Sequence, residues 1–375
     1  MSAPVTELTM PYWADMHAHL RQGEEFSAAL IAEHLAGGTD ILLAMPNTQP
    51  PLATVVNGEW SVQGYREMLL RNGGDAFSHL LVPLYLSAET TPAMIEQGAR
   101  SGLLRSVKYY PPHGTTNSAH GVPLEALIGS DVLRAMEAHG IILNIHGEEH
   151  GLPDHRWFGQ HENAESILYT EKMRRLRDSH PKLRIVCEHI STKEAVAFVK
   201  ESGSGVVATV TPQHLTYQVG NLLKGAKLHL ICMPLVKFGA DVSALRQAVT
   251  APDNAKFFAG TDSAPHPSVK KAVDCGCAFG CFTGQYGAQL YAEAFELAGV
   301  DLSDSAHAET FKRFLCLNGP AFYGLAPSKK TFVLRREPQR VLPTIAEGKT
   351  VIPLPLGIVP EAERGDVTIP WSVLL

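Results

Sequence analysis

Charge is sparse and never concentrated: only 19% of the 375 residues are Asp, Glu, Lys or Arg, and no basic run is longer than Arg335-Arg336. With a formal net charge of −6, the chain offers no basic surface for a phosphate backbone, so no nucleic-acid partner is expected. A long apolar run is also missing, which argues against a bilayer-spanning helix and a membrane partner. Met1–Met10 contains Pro4 and Glu7 and has no basic segment leading into an apolar stretch, so it does not read as a signal peptide. The Cys are scattered as Cys187, Cys232, Cys275, Cys277, Cys281 and Cys316, which is no disulfide framework, and a reducing cytoplasm is the expected location. Internal repeats, low-complexity tracts and a phosphate-cradling glycine loop are absent as well.

What the chain does have is apolar material, 45% of all residues, enough for a sizeable core. Short runs rich in Val, Ile, Leu and Phe recur at Trp13–His17, Ile41–Met45, Leu80–Leu86, Ser106–Tyr109, Ile141–His146, Arg184–His189, Val206–Thr211 and Phe257–Thr261. Between them, Ser27–Gly37, Thr91–Ser101, Leu124–Gly140, Lys193–Gly203 and Val242–Ala251 carry apolar residues at helical spacing, and Gly284–Gly299 and Ser303–Phe314 follow the last run. Continuous apolar strands alternating with helices predict a parallel sheet buried on both faces. Eight such units predict an α/β fold of the (β/α)8 TIM-barrel type, with an open doubly wound sheet as the alternative. The expected organisation is one catalytic domain over 1–375, ending in a Pro-rich tail from about residue 327 whose place the pattern does not give.

The polar residues that interrupt this pattern fall at the C-terminal ends of the strands: His17 and His19, Asn47, Lys108, His146, His189 and Asp262. In a barrel those ends share one rim, the rim that carries active sites. In His17-Ala18-His19 alternate residues of an extended segment point the same way, so both imidazoles can reach one metal ion. An isolated His-x-His is better read as an ordinary loop pair, but His146 and His189 end apolar strands too. Asp262 follows Phe257-Phe258-Ala259; its carboxylate suits a zinc and a proton exchange with bound water, against the plainer role of a helix cap. Lys108 ends Ser106-Val107, where a bare ammonium is costly. It is either a lysine paired with an acid or a neutral amine that captures carbon dioxide and bridges two metals as a carbamate.

Taken in order, the stretches Asp15–Arg21, Ala44–Asn47, Val107–Pro111, Thr115–Ser118, His146–Glu148, Glu188–Lys193, Thr211–Leu215, Gly260–His266 and Asn318–Pro320 resemble the dihydroorotase family of the shorter, bacterial class II type, within the amidohydrolase superfamily. The resemblance implies a zinc held by His17, His19, N6-carboxylated Lys108 and Asp262, and a second held by Lys108, His146 and His189, with a bridging hydroxide. It implies Asp262 as general acid and base. Arg21, Asn47 and His266 would grip the substrate carboxylate, His19 and His146 would also face the substrate, and backbone contacts are expected at Met233 and Ala278. A mobile loop over Pro111–Val122 would bring Thr115 and Thr116 onto the substrate, with Gly121 as a hinge. The implied reaction is the reversible closure of N-carbamoyl-L-aspartate to (S)-dihydroorotate with loss of water, in a homodimer.

Two departures stand out. Cys275–Cys281 carries an extra residue, Phe279, relative to the family's pattern, and the tail beyond Pro327 is unlike it. The clustered thiols read as a packed loop rather than a zinc knuckle, for want of a fourth ligand. Competing readings are a hydantoinase or allantoinase, which would share the metals but have no need of Arg21 and Asn47; a mononuclear deaminase, with no use for Lys108; and a non-catalytic scaffold, which would be expected to lose ligands.

Overall fold

The structure, a computed structural model, describes residues 6–375; residues 1–5 of the stretch read for a signal lie outside the described residues. Among these, the barrel strands are β1 (Trp13–Ala18), β2 (Thr39–Ala44), β3 in two pieces (His79–Leu81 and Leu84–Tyr85), β4 (Ser106–Tyr109), β5 (Ile142–His146), β6 (Ile185–Glu188), β7 (Val206–Val210) and β8 (Phe257–Ala259). Neighbours pair in parallel throughout, from β1 to the first piece of β3 and from its second piece to β8. The run expected as one strand over Leu80–Leu86 is split at Val82-Pro83, since Pro83 has no N–H for the ladder. A parallel bridge Ala18↔Ser263 closes the ring, with Asp262 N–H on His17 O at 2.8 Å and His19 N–H on Ser263 O at 2.9 Å. The arrangement is a (β/α)8 barrel.

The two-residue period of the strands decides what the barrel encloses. Its floor is apolar: Ala14, Met16, Ile41, Leu43, Ile142, Val186, Val207 and Phe258 pack together with Tyr323. One inward position further up, the same strands present Asn144, Glu188 and Thr209, all buried and joined to each other. Outward positions such as Leu42, Val107, Leu143, Ile185 and Val206 pack in the layer beneath the helices.

Helices begin where the sequence supplies caps, with Thr91 and Thr192 accepting from the N–H groups of Met94 and Ala195. The helix expected over Leu124–Gly140 is shorter, Asp131–His139. Gly129, at φ 79°, and the Ser130 cap separate it from a single turn at Leu124–Ala126. A helix at Val62–Arg71 was not anticipated, although Val62, Tyr65, Met68 and Leu69 bury one face at helical spacing.

The tail is built into the molecule. Thr331–Arg335 lies antiparallel between Glu7–Pro11 and Ser372–Leu374. The hairpin Thr344–Ala346/Lys349–Val351 meets the barrel where Val351 bridges Pro267, next to His266. No helix among the described residues is long and apolar enough to cross a membrane.

Candidate metal centre and substrate cleft

Four imidazoles form a chain across the mouth of the barrel: ring centres of His19 and His17 are 5.6 Å apart, His17 and His189 4.9 Å, and His189 and His146 4.8 Å. Asp262 joins them, with Oδ1 3.0 Å from His19 Nε2 and 3.4 Å from His17 Nε2. One ligand atom from each of His17, His19 and Asp262 lies within 4.8 Å of the others. Burial raises the pKa of Asp262, but its contacts with His17 and His19 outweigh this and hold it well below the carboxylate range. Burial opposes charge on His17 too, yet Glu188 and Asp262 lift its pKa to about 9. A divalent cation placed there would compete with that proton. His19 is pushed the other way, to about 4, chiefly by burial.

Backbone strain gathers at this rim. Asp262 (φ 48°), His189 (φ 39°) and Arg21 (φ 59°) occupy the left-handed region that glycine favours. Each is locked by a neighbour: the Asp262 turn by Asp15, whose carboxylate accepts from Thr261 N–H (2.9 Å) and Oγ1 (2.6 Å), and His189 N–H by Thr209 Oγ1 (2.7 Å). Tyr65 Oη donates to Arg21 O at 2.7 Å.

Lys108 is fully buried. Its amine donates to Tyr109 O at 3.2 Å and sits 4.2 Å from the centre of the Tyr110 ring, with no carboxylate in ion-pair reach among the described residues. Burial lowers its pKa to about 7, against the pull of Glu188 and Asp262. His189 Nδ1 is likewise buried without a hydrogen-bond partner. An unpaired amine, an orphaned ring nitrogen and the His17, His19, Asp262 cluster form a donor set of nitrogen and oxygen that suits zinc. The cysteines do not: among the described residues the Cys275–Cys281 loop supplies no metal-binding group. Instead Lys271 Nζ reaches under it to Ile231 O, Ala278 O and Gly280 O.

The cleft above these groups is lined by His19, Arg21, Asn47, Thr115, Thr116, Met233, Asp262, Ala264, Phe279 and Gly280. Ala278, expected to touch the substrate, does not line it. Its N–H is committed to Lys270 O (2.9 Å) and its oxygen to Lys271 Nζ (2.8 Å), and the extra residue Phe279 takes its place at the wall. His266 stands behind Arg21: its Nε2 is 3.1 Å from Arg21 Nη2 and 2.9 Å from Phe279 O, so it can serve one of them at a time. The 111–122 loop is latched over Asn47, whose Nδ2 donates to Thr116 O (3.0 Å) and whose backbone oxygen accepts from Asn117 Nδ2 (2.9 Å). Gly121 is not at positive φ; a Cβ there would lie 2.4 Å from Tyr110 O, so close packing against Tyr110 and Pro111 already calls for a glycine.

This geometry has relatives. No protein-family model matches the chain. The dihydroorotase of Halorhodospira halophila is 39% identical over 354 residues, covering 93% of this chain and 96% of its own length. The chain belongs to the dihydroorotase family. Among solved structures, dihydroorotase from Saccharomyces cerevisiae in complex with 5-fluoroorotic acid superposes with a TM-score of 0.83 at 28% identity, over 99% of both chains. L-Hydantoinase from Arthrobacter aurescens shares the barrel alone, with a TM-score of 0.69 at 15% identity over 90% of this chain and 77% of its own.

Three buried groups stand behind the candidate ligands, each inside a stretch that carries the resemblance and none with a role read from the sequence. Glu188 contacts His17 Nδ1 (2.8 Å), Glu148 contacts His146 Nε2 (2.7 Å) and Asp15 holds the Asp262 turn. The readable signal for Glu188 was a carboxylate closing the apolar run Ile185-Val186-Cys187.

Proposed function

We propose that the chain is a dihydroorotase that interconverts N-carbamoyl-L-aspartate and (S)-dihydroorotate plus water, in pyrimidine biosynthesis, as a single catalytic domain over 1–375. The observation that carries this reading is the convergence of His17, His19, Lys108, His146, His189 and Asp262 beneath a cleft that contains Arg21 and Asn47. His17, His19, Asp262 and a carbamate on Lys108 would hold one zinc, and the same carbamate with His146 and His189 the other. Bound there, the metal pair supplies a Lewis acid and lowers the pKa of water, so that a nucleophile exists at neutral pH.

The rest falls to the chain's own side chains. Arg21 presents a planar fork to the substrate carboxylate. An anion that takes the Arg21 fork would release His266 Nε2 to donate to Phe279 O. Asn47 Nδ2 would exchange Thr116 O for the same carboxylate. The 111–122 loop, bringing Thr115 and Thr116 over the ring, excludes water. Asp262 carries the proton between the attacking water and the ring nitrogen that leaves, and ring closure reverses this transfer. A zinc-loaded homodimer in the cytoplasm, acting on small molecules and on neither nucleic acid nor membrane, completes the reading.

The test is an assay of the purified protein with dihydroorotate, hydantoin and allantoin, alongside metal analysis. Turnover of dihydroorotate with two zinc per chain is expected. Turnover confined to hydantoin or allantoin would overturn the substrate, and a single metal equivalent at full activity would overturn the binuclear centre.

A further inference from the structure

We propose that Glu188 is a positioning residue that makes His17 a zinc ligand, an inference that rests on the metal centre proposed above. Glu188 is 1% exposed and makes no ion pair with Lys or Arg among the described residues. A buried carboxylate without such a partner is costly, so its surroundings must account for it. Each oxygen is taken by a specific donor. Oε2 accepts from Thr209 Oγ1 at 2.6 Å and lies 2.8 Å from His17 Nδ1, while Oε1 accepts from Asn144 Nδ2. Asn144 is fixed in turn by donating to Tyr323 Oη at 2.6 Å.

Because both Glu188 oxygens already accept from Asn144 and Thr209, a neutral, metal-binding His17 carries its proton on Nδ1, toward Glu188, and its lone pair on Nε2. Nε2 is the nitrogen that faces Asp262, 3.4 Å away. Glu188 therefore selects the tautomer that a metal needs, aims the ring, and makes Nε2 a stronger donor through a charge-assisted hydrogen bond. The same anion reaches the second side of the centre through Thr209, whose hydroxyl also takes the N–H of His189, a residue held at φ 39°. One buried negative charge thus braces a histidine expected on each zinc.

Glu188→Gln keeps the shape and removes the charge. The measurements are zinc affinity, by competition with a chromophoric chelator, and the Nδ1–H proton resonance of His17 in the zinc-loaded protein, with circular dichroism confirming the fold. Zinc should bind roughly 10- to 100-fold more weakly, and the Nδ1–H signal should move upfield as its acceptor loses charge. Thr209→Val, which removes one hydroxyl and leaves the carboxylate, provides a second variant should Glu188→Gln not fold, and should weaken zinc binding by a smaller factor. Wild-type zinc affinity in a folded Glu188→Gln or Thr209→Val protein would overturn the role of Glu188 alone. A wild-type chain that binds no zinc would remove the centre, and this inference with it.

Discussion

At the scale of single residues, the site consists of groups that are costly to place where they are. Asp262 is ionised, buried and held at φ 48° by the Asp15–Thr261 contacts. That placement suits proton transfer better than substrate anchoring. Asp262→Asn should accordingly lower kcat roughly 10²- to 10⁴-fold with little change in KM, and steady-state kinetics showing the reverse split would remove the assignment. Among the described residues Lys108 has no acid within ion-pair reach, and burial already favours its neutral form. Lys108→Ala should lose zinc from the centre and most of the turnover, and two retained zincs at normal turnover would rule out the carbamate. These two residues were legible because each is a charge at the end of an apolar run, where the sequence pattern itself marks the misfit. Asn144 and Thr209 carry no readable role, because a polar residue inside a strand declares only that it is buried, not what it faces; Glu188 shows the same misfit as Lys108, but its partner His17 lies 171 residues away in the chain. Ala278 lies off the cleft wall, its N–H taken by Lys270 O and its oxygen by Lys271 Nζ, in a loop that no periodicity in the sequence marks.

At the scale of elements, the alternation of strand and helix was readable because burial on both faces forces continuous apolar strands, and the barrel follows from repeating the unit. The failures lie where local chemistry overrides periodicity. Pro83 splits β3, Gly129 and Ser130 cut a helix short, and the tail's strand Thr331–Arg335 finds one partner, Glu7–Pro11, more than 300 residues away in the chain. The 111–122 loop belongs to this scale as well. Its turn is internally fastened, with Thr115 N–H on Ser118 Oγ at 2.9 Å and Ser118 Oγ on Thr115 O at 2.7 Å, so it would move as a unit rather than fray. Its hold on Asn47 is two hydrogen bonds, a latch weak enough to open on each turnover. Replacing Thr115 and Thr116 together by Ala leaves that backbone latch intact and removes two hydroxyls from the cleft. At about 1 kcal/mol of net stabilisation for each hydrogen bond, kcat/KM should fall roughly 10- to 30-fold. Unchanged kcat and KM would mean that the loop is an ordinary surface segment.

For the molecule as a whole, the same burial that builds the barrel fixes how stability responds to acid. His34, on the helix Glu24–Ala36, is 3% exposed, with Nδ1 3.7 Å from Asp15 Oδ2. Burial lowers its pKa from 6.5 to about 4. The unfolded chain therefore takes up a proton at this position as pH falls below about 6.5 while the folded chain does not, and the stability that His34 permits at neutral pH is lost progressively until about pH 4. Asp15 works in the opposite sense: burial lifts its pKa to about 6, so between that value and 3.8 the folded state binds the extra proton and gains as pH falls. The two effects oppose each other in the wild type, and a plain acid titration would mix them with protonation of the proposed zinc ligands. Comparison with His34→Gln isolates His34 together with its coupling to Asp15, 3.7 Å away, because the more distant groups titrate in both proteins and cancel in the difference. The variant should gain on the wild type as pH is lowered from 6.5 to 4, by up to about 3 kcal/mol, read from urea unfolding at several pH values. A stability difference that stays constant across that interval would show that His34 can accept a proton in place, and that this part of the core admits water.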